Sequence, residues 1–245
     1  MAAGNLVDTG FDVRTDAGGK DPDSHSKTLR RYHQLLWSKP LPSGAKFDLD
    51  DRLHHRSALG EYWLSSDAIT HTYSTWSRPA RLVEVLRQVA PTEIAAFYDL
   101  GCTVGAYLVF PPQVHVNGKW RWSINQRRGM HPRIRDRFDL TLECIRLHYQ
   151  GTASPLAETL AWYGDFFDLF GDFDGYVDHF LLNDLVKDGY SSVRFYKEFD
   201  DFAGDPLPAA SVAEYREYMR RSTDFIRARN ERIAHYASSE LHDCT

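Results

Sequence analysis

The sequence predicts an α+β protein: a small antiparallel sheet with a β-hairpin, joined to a mainly helical C-terminal half. Two observations carry this. Residues 105–124 read as a strand followed by a hairpin, and residues 134–236 carry apolar residues at helical spacing behind repeated Ser and Pro starts. No internal repeat, low-complexity run or linker divides the chain, so residues 11–245 read as a single domain behind a loose N-terminus of residues 1–10.

Each element follows from local chemistry. Gly18-Gly19 and Asp21-Pro22-Asp23 mark residues 11–24 as turns. Ser26 or Thr28 caps a helix to about Trp37, with Leu29, Tyr32, Leu35 and Leu36 on one face. Pro40 and Pro42-Ser43-Gly44 end it. Residues 47–53 read as a short strand or edge, and residues 59–66 as an apolar-aromatic segment of either type. Pro79 and Pro91 open helices over 80–89 and 92–98. Residues 105–110 form a strand. Residues 114–116 and 119–124 form the hairpin around Asn117-Gly118, a pair that tolerates positive φ at both turn positions. Trp120, Trp122 and Ile124 give that hairpin an apolar face. A loop over 126–132 precedes helices over 134–150, 154–170 and 175–187. A short strand over 193–199, a Pro-rich turn, and a long last helix from Ser211 to about Tyr236 complete the chain.

Composition narrows the function. The net charge of −5 disfavours a broad, nonspecific nucleic-acid binder. Three cysteines without Cys-x-x-Cys spacing suggest neither a disulfide framework nor a zinc cluster, and point to a reducing, cytoplasmic setting, bacterial in style. No signal-peptide pattern and no membrane-length apolar run is read, so no membrane partner is expected. Walker A, G-x-G-x-x-G and G-x-S-x-G motifs are absent, so no cofactor is assigned, and His54-His55 and His71 lack a metal-ligand spacing.

Two charge-dense segments carry the functional expectation. In residues 11–44, Arg14, Asp16, Asp21 and Asp23 precede a helix bearing Arg30, His33 and Trp37. Asp residues in such turns also serve simply as caps and as partners for the arginines. Residues 124–146 bring Asn125, Arg128, Asp139 and Arg146, rich in the residue that grips phosphate and carboxylate in bidentate fashion. If both line one hollow, the protein is an enzyme acting on a nucleotide or nucleic-acid phosphate. Arg14, Arg30, Asn125, Arg128, Asp139 and Arg146 would bind the ligand, Trp37 would stack on a base, and His33 would exchange protons. Asp16, Asp21 or Asp23 would orient it or hold a metal. The alternative is a non-catalytic binding or regulatory protein that uses the same segments as an oligomer or partner interface.

Two further runs are weighed. Asp172–Asp178 lacks the order and closing Glu of a calcium hand. Arg229 to His235 on the last helix resembles the arginine–histidine signature of the HEPN ribonuclease families, which implies RNA cleavage between paired helices.

The pieces FDVRTDAGGKDPDSHSKTLRRYHQLLWSKPLPSG, HHRSALGEYWLSSD, INQRRG, DRFDLTLECIRLHY and FFDLFGDFDGYVDHFLLNDLV resemble an uncharacterised bacterial family of this length. That resemblance implies an intact family member and supplies no reaction, cofactor or catalytic residue.

Overall fold

Capping serines set the first and last long helices. Ser26 accepts from the Leu29 N–H and starts α2, Lys27–Trp37, behind the single turn α1, Pro22–His25. Ser211 does the same through Glu214 N–H for the 28-residue terminal helix Val212–Ser239. The computed structural model describes residues 6–57, 60–69, 80–112, 114–116, 119–207 and 210–241. Asn117-Gly118 and His71 lie outside them.

The fold is α+β. Among the described residues the strands form three separate antiparallel ribbons, not one sheet. His54–Ser57 (β1) pairs with Gly60–Trp63 (β2), Ser65–Ala68 (β3) with Tyr107–Phe110 (β4), and Val114–Val116 (β5) with Lys119–Arg121 (β6). The first and third are hairpins. The second is a long-range pairing that sets Ser66 opposite Val109 and Asp67 opposite Leu108. Helices α3, Ala80–Leu86, and α4, Pro91–Leu100, lie between its strands.

Several expected elements shift. Residues 126–130, expected in a loop, are helical: α5, Ile124–Met130, starts from a complete capping box in which Ser123 and Gln126 satisfy each other's backbone N–H. Helix α6, Phe138–Tyr149, begins later than expected because Arg135 and Asp136 adopt positive φ of 48° and 62°. The helix expected over 154–170 is two short ones, α7, Ala157–Ala161, and α8, Gly164–Asp168. The next, α9, Phe173–His179, stops before Leu181 at φ 53°. Residues 193–199 and 47–53 make only isolated bridges, Val186 to Val193 and Leu49 to His55. At the N-terminus Val7 is buried and Asp8 N–H donates to Tyr32 Oη, so packing begins before residue 11.

The Asp-Phe run of residues 163–186 supplies core through its aromatic members. Phe170, Tyr176 and Phe180 pack edge-on or tilted at 5.0–5.4 Å, and Trp37 meets Phe180 at 5.3 Å. The terminal helix, α10, closes over this core. From it Arg229, fully buried, donates to the carbonyl oxygens of Gly105, Tyr107, Phe180 and Leu181.

Candidate functional site

Strand β3 draws the two charge-dense segments together. Its sequence, Ser65-Ser66-Asp67-Ala68, puts polar groups into an otherwise apolar-aromatic run. Ser66 meets the first segment. Its Oγ lies 2.9 Å from His33 Nε2 and 3.2 Å from Asp23 Oδ1. Asp67 meets the second, since Arg128 Nη1 donates to its Oδ2 at 2.6 Å. Arg128 is itself buried by further bonds to Ala68 O, Asp136 O and Thr141 Oγ1.

The direction of the hydrogen bonds follows from one donor. The indole N–H of Trp37 can only donate, and it lies 2.9 Å from His33 Nδ1, so that nitrogen carries no proton. The proton of the neutral ring is therefore on Nε2 and goes to Ser66 Oγ, whose own hydrogen goes to Asp23. The chain runs Trp37 to His33 to Ser66 to Asp23. Complete burial, with the charge of Arg229 behind it, pushes His33 down to about 3. His33 thus holds Ser66 in place as a neutral donor and does not take up a proton near neutral pH.

The carboxylates behave in the opposite sense. Burial raises Asp23 well above the ordinary carboxylate range, and the charges of Asp67 and Asp21 add to it. Burial pushes Asp67 up to about 6; Arg128 opposes that shift and Asp136 reinforces it. Tyr107, on the partner strand, is raised by burial and by the charge of Asp23. Two carboxyl groups that influence each other and bind protons more tightly than usual mark a place where one can be acid and the other base. Asp67 stays partly accessible, with 22% of its side chain exposed. No group of three or more His, Cys, Asp or Glu suited to a metal ion occurs among the described residues.

The remaining expected residues lie elsewhere or are committed to internal contacts. Arg14 is bidentate to Asp12 and reaches Asp99 at 2.7 Å, pinning the N-terminal arm to α4. Asp16 caps α2 through Ser26 Oγ and Thr28 N–H. Asp21 is exposed and bonds Ser24 in the turn before α1. Arg30 is exposed and donates to Ser24 O, and so the three arginines expected to grip a phosphate do not meet. Trp37 is fully buried and offers no face to a base. Asn125 reaches Ser65 Oγ at 3.4 Å, at the edge of the cluster. Asp139 is buried, taking both Arg137 and the Tyr196 N–H, while Arg146 pairs with Glu143. Arg229 of the HEPN-like pair is sealed in the core, beyond reach of any RNA. Ser66, Asp67, Asp136 and Thr141 were not expected. The signal for the first two was the polar trio Ser65-Ser66-Asp67 inside an apolar run.

The profile of DUF6994, described as a family of unknown function, matches residues 7–233. The chain belongs to that family. No curated protein and no solved structure matches it. Among the described residues no helix is long and apolar enough to cross a membrane.

Proposed function

We propose that this DUF6994 protein is an enzyme whose proton-transfer chemistry runs at Asp23 and Asp67. The observation that carries the reading is the pairing itself. Two carboxylates from distant segments sit within each other's field, both raised, with Ser66 bonded to one and Arg128 to the other. In this reading Asp23, which burial and the charges of Asp67 and Asp21 make a tighter proton binder than an ordinary carboxyl, is the acid. Asp67, held ionised by Arg128, is the base. Arg14, Arg30 and Arg128 have internal partners, which weighs against a phosphate grip at this centre and favours a substrate held by hydrogen bonds. The unbridged, buried thiols of Cys102 and Cys144 support a reducing, cytoplasmic setting.

A panel of chromogenic esters, amides, glycosides and phosphoesters tests the reading. Turnover on one class should depend on an ionisation near 6 and disappear in Asp67→Asn. Equal rates for wild type and that variant on every class would reject it.

The second reading, binding of a nucleotide-like anion without catalysis, is favoured by one feature. A groove of about 690 Å³ beside α10 is lined by Lys187, Arg194 and Lys197 as well as Asp184, Glu198 and Asp224, with Phe195 and Phe199 stacked at 4.2 Å. Saturable binding of a nucleotide there, lost in Lys187→Ala with Lys197→Ala, would support it.

A further inference from the structure

A second groove, of about 620 Å³, opens between the α2 side of the molecule and the first hairpin. Strand pairing builds its centre. His54 and Trp63 are cross-strand partners, and their rings stack at 3.9 Å and 15°. The imidazole covers one face of the indole, yet Trp63 remains 47% exposed, so the opposite face is open to solvent. An indole held flat in this way, with much of its surface still exposed, is a stacking platform. His54 is buried, and its Nε2 lies 2.8 Å from Glu61 Oε1 without the alignment of a hydrogen bond.

Around the platform the charges are mixed. Asp50 fixes the hairpin approach by accepting from Arg52 N–H and His54 N–H through one oxygen. Asp51 and Arg52 are exposed, and neither side chain makes a hydrogen bond or ion pair with another described residue, although the charge of Arg52 acts on Asp50. Arg56 shares Glu61 with His54 at 3.0 Å. A phosphate entering here would face the carboxylates of Asp48, Asp50 and Asp51, and an organic cation would face Arg52 and the Glu61-paired Arg56. A neutral ring with hydroxyl groups fits both signs, because each hydroxyl donates to a carboxylate and accepts from a guanidinium. The C–H face of such a ring is apolar and matches the indole.

We propose that this groove binds a neutral carbohydrate, with one sugar ring stacked on Trp63 and its hydroxyls bonded to Asp51 and Arg52. Its lining shares no residue with the Asp23–Asp67 pair.

The test is a ¹⁵N-labelled chain titrated with maltotriose, cellotriose and chitotriose. Adenosine, inorganic phosphate and spermidine are the rival probes. At least one oligosaccharide should shift the Trp63 indole signal saturably. Trp63→Ala should weaken that binding at least tenfold, and Trp63→Phe, which keeps a stacking face, by less. Asp51→Asn should weaken it without changing the far-ultraviolet circular dichroism. The proposal is overturned if only adenosine, phosphate or spermidine shifts Trp63. It is equally overturned if no oligosaccharide moves that signal at millimolar concentration, or if Trp63→Ala binds the sugar as tightly as wild type while remaining folded.

Discussion

Replacing Arg229 by Met should destabilise the protein by about 4 kcal/mol, although it removes a buried charge that has no carboxylate partner. The arithmetic has two opposing parts. Burial lowers the guanidinium from 12.5 to about 9, a penalty of roughly 5 kcal/mol for keeping it charged inside. Against this stand four bonds to backbone carbonyls, at 2.7–3.3 Å, from residues 105, 107, 180 and 181. Hydrogen bonds to a charged donor contribute about 1.5–3 kcal/mol each, so together they exceed the penalty. Met fills much of the volume but leaves those carbonyls buried and unbonded. For a chain of this size the loss corresponds to a drop in Tm of about 8–16 °C. Urea unfolding followed by circular dichroism measures it as a lower midpoint at unchanged slope. A variant within about 1 kcal/mol of wild type, or a more stable one, would show that the carbonyls gain little from the guanidinium.

Three further outcomes are expected. Asp67, raised from 3.8 to about 6, binds more protons folded than unfolded across that interval, so it lowers stability as pH rises through about 4 to 6 and adds no further change above. Asp67→Asn should therefore make the stability-against-pH slope in that window more positive, by up to ~1.4 kcal/mol per pH unit; an unchanged slope would mean that the carboxyl is not raised. The ring ¹⁵N spectrum of His33 should show the Nε2–H tautomer in wild type. Trp37→Phe, which removes the donor to Nδ1, should cost about 1–3 kcal/mol; an Nδ1–H spectrum in wild type would mean that the Trp37–His33 link is not made. A methyl group at Gly175 would overlap the carbonyl oxygen of Phe170 and press on Pro42, so Gly175→Ala should lower stability by roughly 1–3 kcal/mol in thermal melts; a neutral substitution would mean that this turn yields easily.

What the sequence determined by itself is the part written in neighbouring residues. Ser26, Pro91 and Ser211 start helices because a cap or a Pro acts within one turn, and those starts stand where the local signals put them. The capping box Ser123–Gln126 is equally local and was legible, although residues 126–132 read as a loop. The late start of α6 and the early stop of α9 were not legible, because the positive φ at Asp136 and Leu181 falls on residues that are not Gly. The candidate site divides in the same way. Asp23, His33 and Arg128 could be named from charge and spacing, but their meeting depends on β3 pairing with β4 some forty residues away. Arginine chemistry was decided by the tertiary structure alone. Arg30 at the surface and Arg229 in the core are identical in sequence terms, and only the surrounding carbonyls, brought in from two distant stretches of chain, make one of them a structural hub. Burial and long-range pairing are properties of the whole folded chain, so no local pattern encodes which charge ends up dry.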